Sequence, residues 1–249
     1  MQNYCKTIGA MAAASALVAG TAKAEVEYEM HTGYSSEYLF RGLDLGDHLI
    51  EAGVDASTEW NGLGLSAGAW YGSFDAPKNI RFVGNGQVDN DELDLYAEVS
   101  KDLGFLKASV GYIYYEYAQA TSNHFYSKNS NAQEVYFGIS RDLGFAEASL
   151  TYYWGVMGDN DGYSELALAK SFELSQCLNL NVGTNVGYLV EQGDFTAWTT
   201  KVSLDYGFAE HAKLSPFAAV SFALSDEDNT AYEGSGNEFT AGAMLSVSF

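Results

Sequence analysis

The feature that most constrains this chain is the two-residue alternation of residues 239–249. Apolar side chains occupy every second position there: Phe239, Ala241, Ala243, Leu245, Val247 and Phe249. The positions between them are mostly small and polar: Thr240, Gly242, Met244, Ser246 and Ser248. Because successive side chains of a β-strand point to opposite faces, this pattern predicts a strand with one apolar face. The same alternation recurs along the chain and predicts an all-β fold.

The N-terminus has the pattern of an export signal. Lys6 supplies a positive charge, residues 8–20 are a short apolar run, and residues 22–24 (Ala-Lys-Ala) form a small-x-small cleavage site. The alternative is a membrane anchor, but a bilayer-spanning helix needs about 20 apolar residues. We therefore predict a signal peptide at 1–24 and a single domain at 25–249.

The composition is acidic and rich in glycine and aromatic residues. The formal charge of −21 becomes −23 without the predicted signal, because Lys6 and Lys23 leave and no acidic residue does. Such a charge argues against nucleic acid or an anionic surface as a partner. Twenty-six glycines, 14% aromatic residues and only two prolines suit many strands joined by turns.

Twelve strands are predicted, near residues 26–40, 49–60, 63–72, 92–100, 105–117, 133–140, 145–156, 163–173, 178–190, 195–206, 214–224 and 238–249. Short connections, such as the Asn61-Gly62 pair and the near-copies at 101–104 and 141–144, tend to alternate with longer polar loops at 73–91, 118–132 and 225–237. Outer-membrane barrels place short turns on the periplasmic side and longer loops outside. With twelve strands, both chain ends fall on the short-turn side.

These patterns predict a single antiparallel transmembrane β-barrel of about twelve strands in the bacterial outer membrane, with short periplasmic turns and longer outer loops. The terminal Phe249 resembles the end of the last strand of bacterial outer-membrane barrels. The alternative is a soluble secreted β-sandwich, whose strands also alternate.

Several short blocks resemble the TorF family of porin-like proteins, also known as the Gcw_chp family. They are residues 33–42 (GYSSEYLFRG), 68–71 (GAWY), 92–96 (ELDLY), 111–115 (GYIYY) and 134–137 (EVYF). The Tyr-x-Phe-Arg-Gly segment at 38–42 is the most specific of them. The resemblance implies an outer-membrane barrel and passive transport, and it supplies no catalytic residue and no substrate.

If the apolar faces meet lipid, the opposite faces line the interior. The residues predicted to line a pore are Arg41, Glu51, Asp55, Asp94, Glu98, Lys107, Glu134, Glu147 and Lys201. This excess of acidic over basic groups predicts a preference for cations, because charged rings select ions. The alternative is that the acidic groups pair with the few bases or lie in loops. Trp70, Tyr96, Tyr136 and Tyr153 share the inward position, so we expect a narrow pore.

Arg41 begins the first predicted loop. We expect it to pair with Glu37 or with acidic groups of the second strand, because arginine–carboxylate pairs are common. The alternative is a contact with a transported solute. The expected partners of the whole chain are outer-membrane lipid and small solutes or ions.

No catalytic residue, metal or cofactor is predicted. The four histidines are His31, His48, His124 and His211, and none lies near a Gly-x-Ser-x-Gly motif. Residues 159–162 (Asp-Asn-Asp-Gly) have a fragment of a calcium-loop pattern but lack its later bidentate glutamate. A barrel enzyme and a structural or adhesive barrel remain as alternatives to a channel.

Overall fold

The structure, a computed structural model, describes residues 25–75, 91–118, 131–224 and 236–249. These residues form the strands β1 (Glu27–Phe40), β2 (Leu43–Trp60), β3 (Leu63–Asp75), β4 (Asp91–Asp102), β5 (Lys107–Ala118), β6 (Asn131–Asp142), β7 (Glu147–Met157), β8 (Tyr163–Ser175), β9 (Leu178–Leu189), β10 (Asp194–Ala209), β11 (Ala212–Ala223) and β12 (Glu238–Ser248). Within these ranges, no helix is long and apolar enough to cross a membrane. The predicted signal peptide and the centres of the three predicted long loops lie outside the described residues.

The strands form one closed antiparallel barrel. Each strand pairs with its neighbours in sequence, and β1 pairs with β12 to complete the cylinder. Tyr28 and Phe249 exchange two backbone hydrogen bonds of 2.9 and 3.0 Å at this seam, and their rings stack. Closure supplies strand partners on both sides of every strand, which is what a lipid environment requires of a sheet. The predicted barrel of twelve strands is confirmed.

Alternation separates an apolar outer face from a more polar inner face. On β4, Leu95 and Val99 are 46% and 41% exposed, whereas Glu92 on the opposite face is 2% exposed. The Tyr96 hydroxyl of β4 donates to Asp55 of β2, so these two side chains meet across the intervening strand β3. Such contacts between strands that are not neighbours form on the concave inner side of a barrel.

The predicted strands are confirmed in number and order, but the start of β2 was predicted wrongly. β2 begins at Leu43 rather than near residue 49, because Leu43 pairs with Phe40 across a two-residue turn. The expected loop at 41–48 is therefore mostly strand. Polar residues such as Asp44 and Asp47 gave no strand signal in the sequence. In the structure they lie in a part of the ladder where the register shifts.

The two faces can be tested by placing an arginine on each in turn. Leu150 of β7 is 47% exposed on the outer face, so we expect Leu150→Arg to destabilise the barrel in lipid by about 2–4 kcal/mol. Thr151→Arg is the matched control, because Thr151 lies on the inner face and is paired in register with Glu165. Urea unfolding in lipid vesicles measures both variants. Equal costs at the two positions would contradict the assignment of faces.

Candidate functional site

The connection between β1 and β2 is folded into the barrel. Arg41 and Gly42 have φ values of 52° and 86°, the left-handed pair that a two-residue type I′ hairpin requires. A Cβ built on Gly42 would lie 2.2 Å from the Cβ of Ala197 on β10 and 3.2 Å from Oγ of Ser221 on β11. We call residues 40–43 the inserted turn, because its tip contacts strands that are not neighbours of β1 or β2.

Arg41 extends from the inserted turn to Glu134 of β6. Its Nη1 donates to Oε1 at 2.8 Å and its Nη2 to Oε2 at 2.7 Å, so the pair is bidentate. The two side chains are only 13% and 7% exposed. Burial disfavours the charge on Arg41, but the hydrogen bonds and negative charge of Glu134 outweigh this and raise the pKa of Arg41. The guanidinium is therefore a permanent charge, and Glu134 binds it through both carboxylate oxygens.

Aromatic rings enclose the guanidinium of Arg41. Its Cζ lies 4.8 Å from the ring centroid of Phe40, 4.5 Å from that of Tyr153 and 4.4 Å from that of Tyr163. These distances allow cation–π attraction, which is stronger where water is excluded. Leu43 of the inserted turn packs against the buried pair Tyr163 and Leu189. The inserted turn is thus fixed against β7, β8 and β9.

Glu134 is held in place by two neutral donors as well as by Arg41. Tyr115 donates to Oε2 at 2.9 Å, and Nδ2 of Asn160 donates to Oε1 at 2.7 Å. The Asn160 side-chain oxygen accepts from the backbone N–H groups of Gly155 and Gly162, both at 3.1 Å. The connection between β7 and β8 therefore supports the carboxylate that receives Arg41.

A second group of aromatic residues packs on the other side of the inserted turn. Tyr38 lies 5.5 Å from Trp70 and 5.0 Å from Phe74, measured between ring centroids, and it packs with Leu49. Phe40 lies 6.4 Å from Tyr115 of β5. Contacts of β1 and the inserted turn therefore reach β3, β5 to β11 and, through Glu37 and Thr240, β12. The lumen is constricted at this level.

Glycines let aromatic side chains lie along the inner wall and reach a carboxylate two strands away. Tyr96 lies over Gly68 and donates to Asp55 at 2.5 Å, and a Cβ at Gly68 would come within 2.5 Å of the tyrosine ring. Tyr136 lies over Gly111 in the same manner. Its hydroxyl donates to Glu98 at 3.0 Å.

Glu51 has a comparable partner, because Nε1 of Trp70 donates to it at 2.7 Å. The partners of Glu51 and Glu98 are neutral donors. Asp55 also lies 3.6 Å from Nδ1 of His31, which is a base. These carboxylates are therefore bound by hydrogen bonds without a lysine or arginine partner among the described contacts.

The pairing expected for Arg41 was wrong in its partner. The sequence suggested Glu37 or acidic groups of the second strand, whereas the structure pairs Arg41 with Glu134. The inserted turn carries the guanidinium away from its own hairpin, so neighbours in sequence are out of reach. Both residues were on the predicted list, but nothing local in the sequence indicates that they meet.

The other predicted residues are spread along the barrel. Asp94 lies on the inner face of β4, and Lys107 and Glu147 are the first residues of β5 and β7. The ammonium group of Lys201 lies 4.1 Å from the ring centroid of Phe217. That these residues line an open pore stays a prediction.

Two groups of carboxylates are close enough to share a cation. Asp159, Asp161 and Glu191 have ligand atoms within 4.8 Å of one another, as do Glu37, Asp44 and Glu238. The first group contains the calcium-loop fragment, and its third carboxylate comes from the next connection at the same end of the barrel. That carboxylate was missed because the expected glutamate was sought at a fixed spacing. No metal is assigned to either group.

Two of the three histidines in the described residues, His31 and His48, have polar side-chain partners. His31 lies beside Asp55, and Nδ1 of His48 lies 2.8 Å from the hydroxyl of Tyr34. Tyr34 and His48 lie on the loop side of β1 and β2, with Tyr34 45% exposed. These contacts fit hydrogen-bonded side chains, and they do not assemble a nucleophile with an oriented base.

The closed cylinder and its apolar outer face define the class of this protein: it is a β-barrel of the bacterial outer membrane. The chain belongs to a family described as bacterial proteins of unknown function (Gcw_chp), whose model matches residues 19–247. The sequence predicted this family under the name Gcw_chp, which is confirmed. The second name, TorF, stays a prediction. None of the curated proteins matches the chain.

Solved structures of porins and channels are similar in fold. The NanC porin has a TM-score of 0.51 at 11% identity, covering 89% of this chain and 98% of that chain. The KdgM porin has a TM-score of 0.48 at 10% identity, covering 90% and 99%. The COG4313 outer membrane channel from Pseudomonas putida F1 has a TM-score of 0.49 at 13% identity, covering 91% and 95%. At 11% identity the likeness to NanC shows the fold alone, and nothing is concluded from the other two.

Removal of Arg41 tests the buried pair. We expect Arg41→Ala to destabilise the barrel by about 3–5 kcal/mol, because it leaves the Glu134 charge buried without its cationic partner. The double variant Arg41→Met with Glu134→Leu should recover most of this loss, since both charges are removed together. Urea unfolding measures each variant. Arg141→Ala is the control, because Arg141 is exposed on β6; an Arg41→Ala barrel as stable as this control would contradict the pair's structural role.

The close approach of the inserted turn can be tested at Gly42. Gly42 and Gly62 have left-handed backbone conformations, with φ of 86° and 74°. We expect substitution by alanine to lower the free energy of unfolding by about 1–2 kcal/mol at each position for this reason. Gly42→Ala also meets Ala197 and should cost about 1–3 kcal/mol more. Nothing lies within 4 Å of a Cβ at Gly62, so Gly62→Ala is the matched control. Equal losses of unfolding free energy would show that the turn does not touch the opposite wall.

Proposed function

We propose that this protein is an outer-membrane channel for the passive diffusion of small solutes and that it prefers cations. The observation that carries the proposal is the bonding of the inner carboxylates. Glu51 and Glu98 accept hydrogen bonds from Trp70 and Tyr136, which carry no charge. A neutral donor stabilises a carboxylate without cancelling its charge, so the inner wall stays negative.

The inner wall focuses this charge because protein and lipid around it have a low dielectric constant. On this proposal the pore is lined by the residues identified from the sequence: Arg41, Glu51, Asp55, Asp94, Glu98, Lys107, Glu134, Glu147 and Lys201. The charges of Arg41 and Glu134 cancel at the inserted turn. The acidic residues on either side of that level then set the preference for cations.

The inserted turn limits the size of the solute on this proposal. It crosses the lumen from β1 and β2 and packs against the facing strands, so the passage at this level is narrow. This favours ions and small polar molecules over large ones. We further propose that the barrel has no enzymatic activity. Among the described contacts, His31 has a carboxylate partner but no nucleophile, and His48 meets the Tyr34 hydroxyl but has no group that orients it as a base.

The preference for cations is tested by reversal potentials in planar bilayers. In a KCl gradient, the native channel should show a potential of the sign expected for potassium. Glu98→Gln and Asp55→Asn should each lower the permeability ratio of potassium to chloride, since each removes one charge from the wall. Glu210→Gln is the control, because Glu210 is exposed in the short turn between β10 and β11.

A preference for chloride in the native protein would overturn the proposed selectivity. Liposome swelling with small sugars and amino acids tests passive diffusion itself. Vesicles that swell no faster than protein-free vesicles, together with no conductance, would favour the structural or adhesive barrel instead.

A further inference from the structure

Two inward carboxylates of β4 differ from Glu51, Asp55 and Glu98 of the inner wall. Glu92 and Asp94 are alternate residues of β4, so their side chains share the inner face near the loop end of the strand. Glu92 is paired in register with Gly72 of β3 and Tyr117 of β5, and it is only 2% exposed. The two carboxyl groups lie within hydrogen-bonding reach of each other.

Each member of this pair has an oxygen without a hydrogen-bond partner. Oε2 of Glu92 and Oδ1 of Asp94 are buried and accept no hydrogen bond from any residue of the described ranges. Glu51, Asp55 and Glu98 each have a donor within 3.0 Å. Gly68 and Gly111 make room for tyrosines that donate to Asp55 and Glu98. Gly72, in contrast, makes room for the ring of Trp70, which does not donate to Glu92.

Within residues 25–75, 91–118, 131–224 and 236–249, the groups that contact the pair supply further oxygen atoms and no spare cation. The hydroxyl groups of Tyr38 and Tyr117 lie close to the Glu92 carboxyl. The guanidinium of Arg41 is already bound to Glu134 by both of its terminal nitrogens. Two carboxylates so placed repel each other, and a buried oxygen without a donor is unfavourable.

We propose that Glu92 and Asp94 bind a divalent cation, with Ca²⁺ as the fitting ion. Calcium takes oxygen ligands from carboxylates and other groups in a flexible geometry and completes its shell with water. Two carboxylates and two nearby phenol oxygens offer that chemistry inside a narrow lumen. A cation there satisfies both unpartnered oxygens and removes the repulsion between the two charges.

The proposal is tested by calorimetric calcium titration of the refolded protein in detergent after EDTA treatment. The native protein should bind one more Ca²⁺ than either Glu92→Gln or Asp94→Asn, or bind it at least about tenfold more tightly, a difference of about 1.4 kcal/mol. Calcium should also raise the unfolding temperature of the native protein more than that of either variant. In EDTA, Glu92→Gln should unfold at a higher temperature than the native protein, because the repulsion is relieved.

Asp161→Asn is the matched control, because it removes a carboxylate from the group of Asp159, Asp161 and Glu191 at the same end of the barrel. It should keep the binding event that Glu92→Gln and Asp94→Asn remove. Glu92→Gln and Asp94→Asn are both measured in case one of them does not fold. Heat-modifiable migration on a gel shows which variants are folded.

Calcium binding that is unchanged in both variants, or lost only in Asp161→Asn, would overturn the proposal. So would a native protein that binds no calcium, in which case the two carboxyl groups share a proton. The measurement needs no transport, so its failure would leave the proposed channel untouched.

Discussion

The constraint on which this structure depends is the cost of a backbone polar group without a partner in lipid. An open sheet would expose the free edges of its first and last strands, and each unpaired N–H or C=O in hydrocarbon costs several kcal/mol, on the order of 2–7 for an amide. The seam between Tyr28 and Phe249 removes that cost by joining β1 to β12. Once the cylinder is closed, alternate side chains must face either lipid or the interior. The two-residue pattern of the sequence is the consequence.

Closure creates a second problem, because twelve strands enclose more space than ordinary inward side chains fill. About eight strands give a filled interior, while about sixteen leave a water channel. This chain uses two devices that both depend on glycine. Gly42 lets the inserted turn approach the opposite wall, and Gly68 and Gly111 let tyrosine rings lie flat across the strand between them and their carboxylate partners. The interior is narrowed by backbone as well as by side chains.

The fold was predictable because its signals are local. Alternation over ten residues and turn pairs such as Asn61-Gly62 predict strands and hairpins without knowledge of the rest of the chain. The site was predictable only in part. Arg41 and Glu134 were both identified as inward groups, but they are 93 residues apart in sequence, and their meeting depends on the path of the inserted turn. The approach of Glu191 to Asp159 and Asp161 likewise joins two separate connections. Such pairings follow from register around the whole barrel, which no single segment contains.

The same register explains why acidic residues tolerate the interior without an equal number of bases. A carboxylate in a poorly solvated place needs donors, and these need not be charged. Tyr136 supplies one donor for Glu98, and Trp70 supplies another for Glu51. Arg41, in contrast, is a charge that only a carboxylate matches well, so it takes Glu134 and cancels it. On the proposed function, size and charge selection therefore reside in different parts of the lumen. The inserted turn, where the charges of Arg41 and Glu134 cancel, limits the size of the solute. The inner-wall carboxylates that accept hydrogen bonds from Tyr136 and Trp70 determine the sign of the solute's charge.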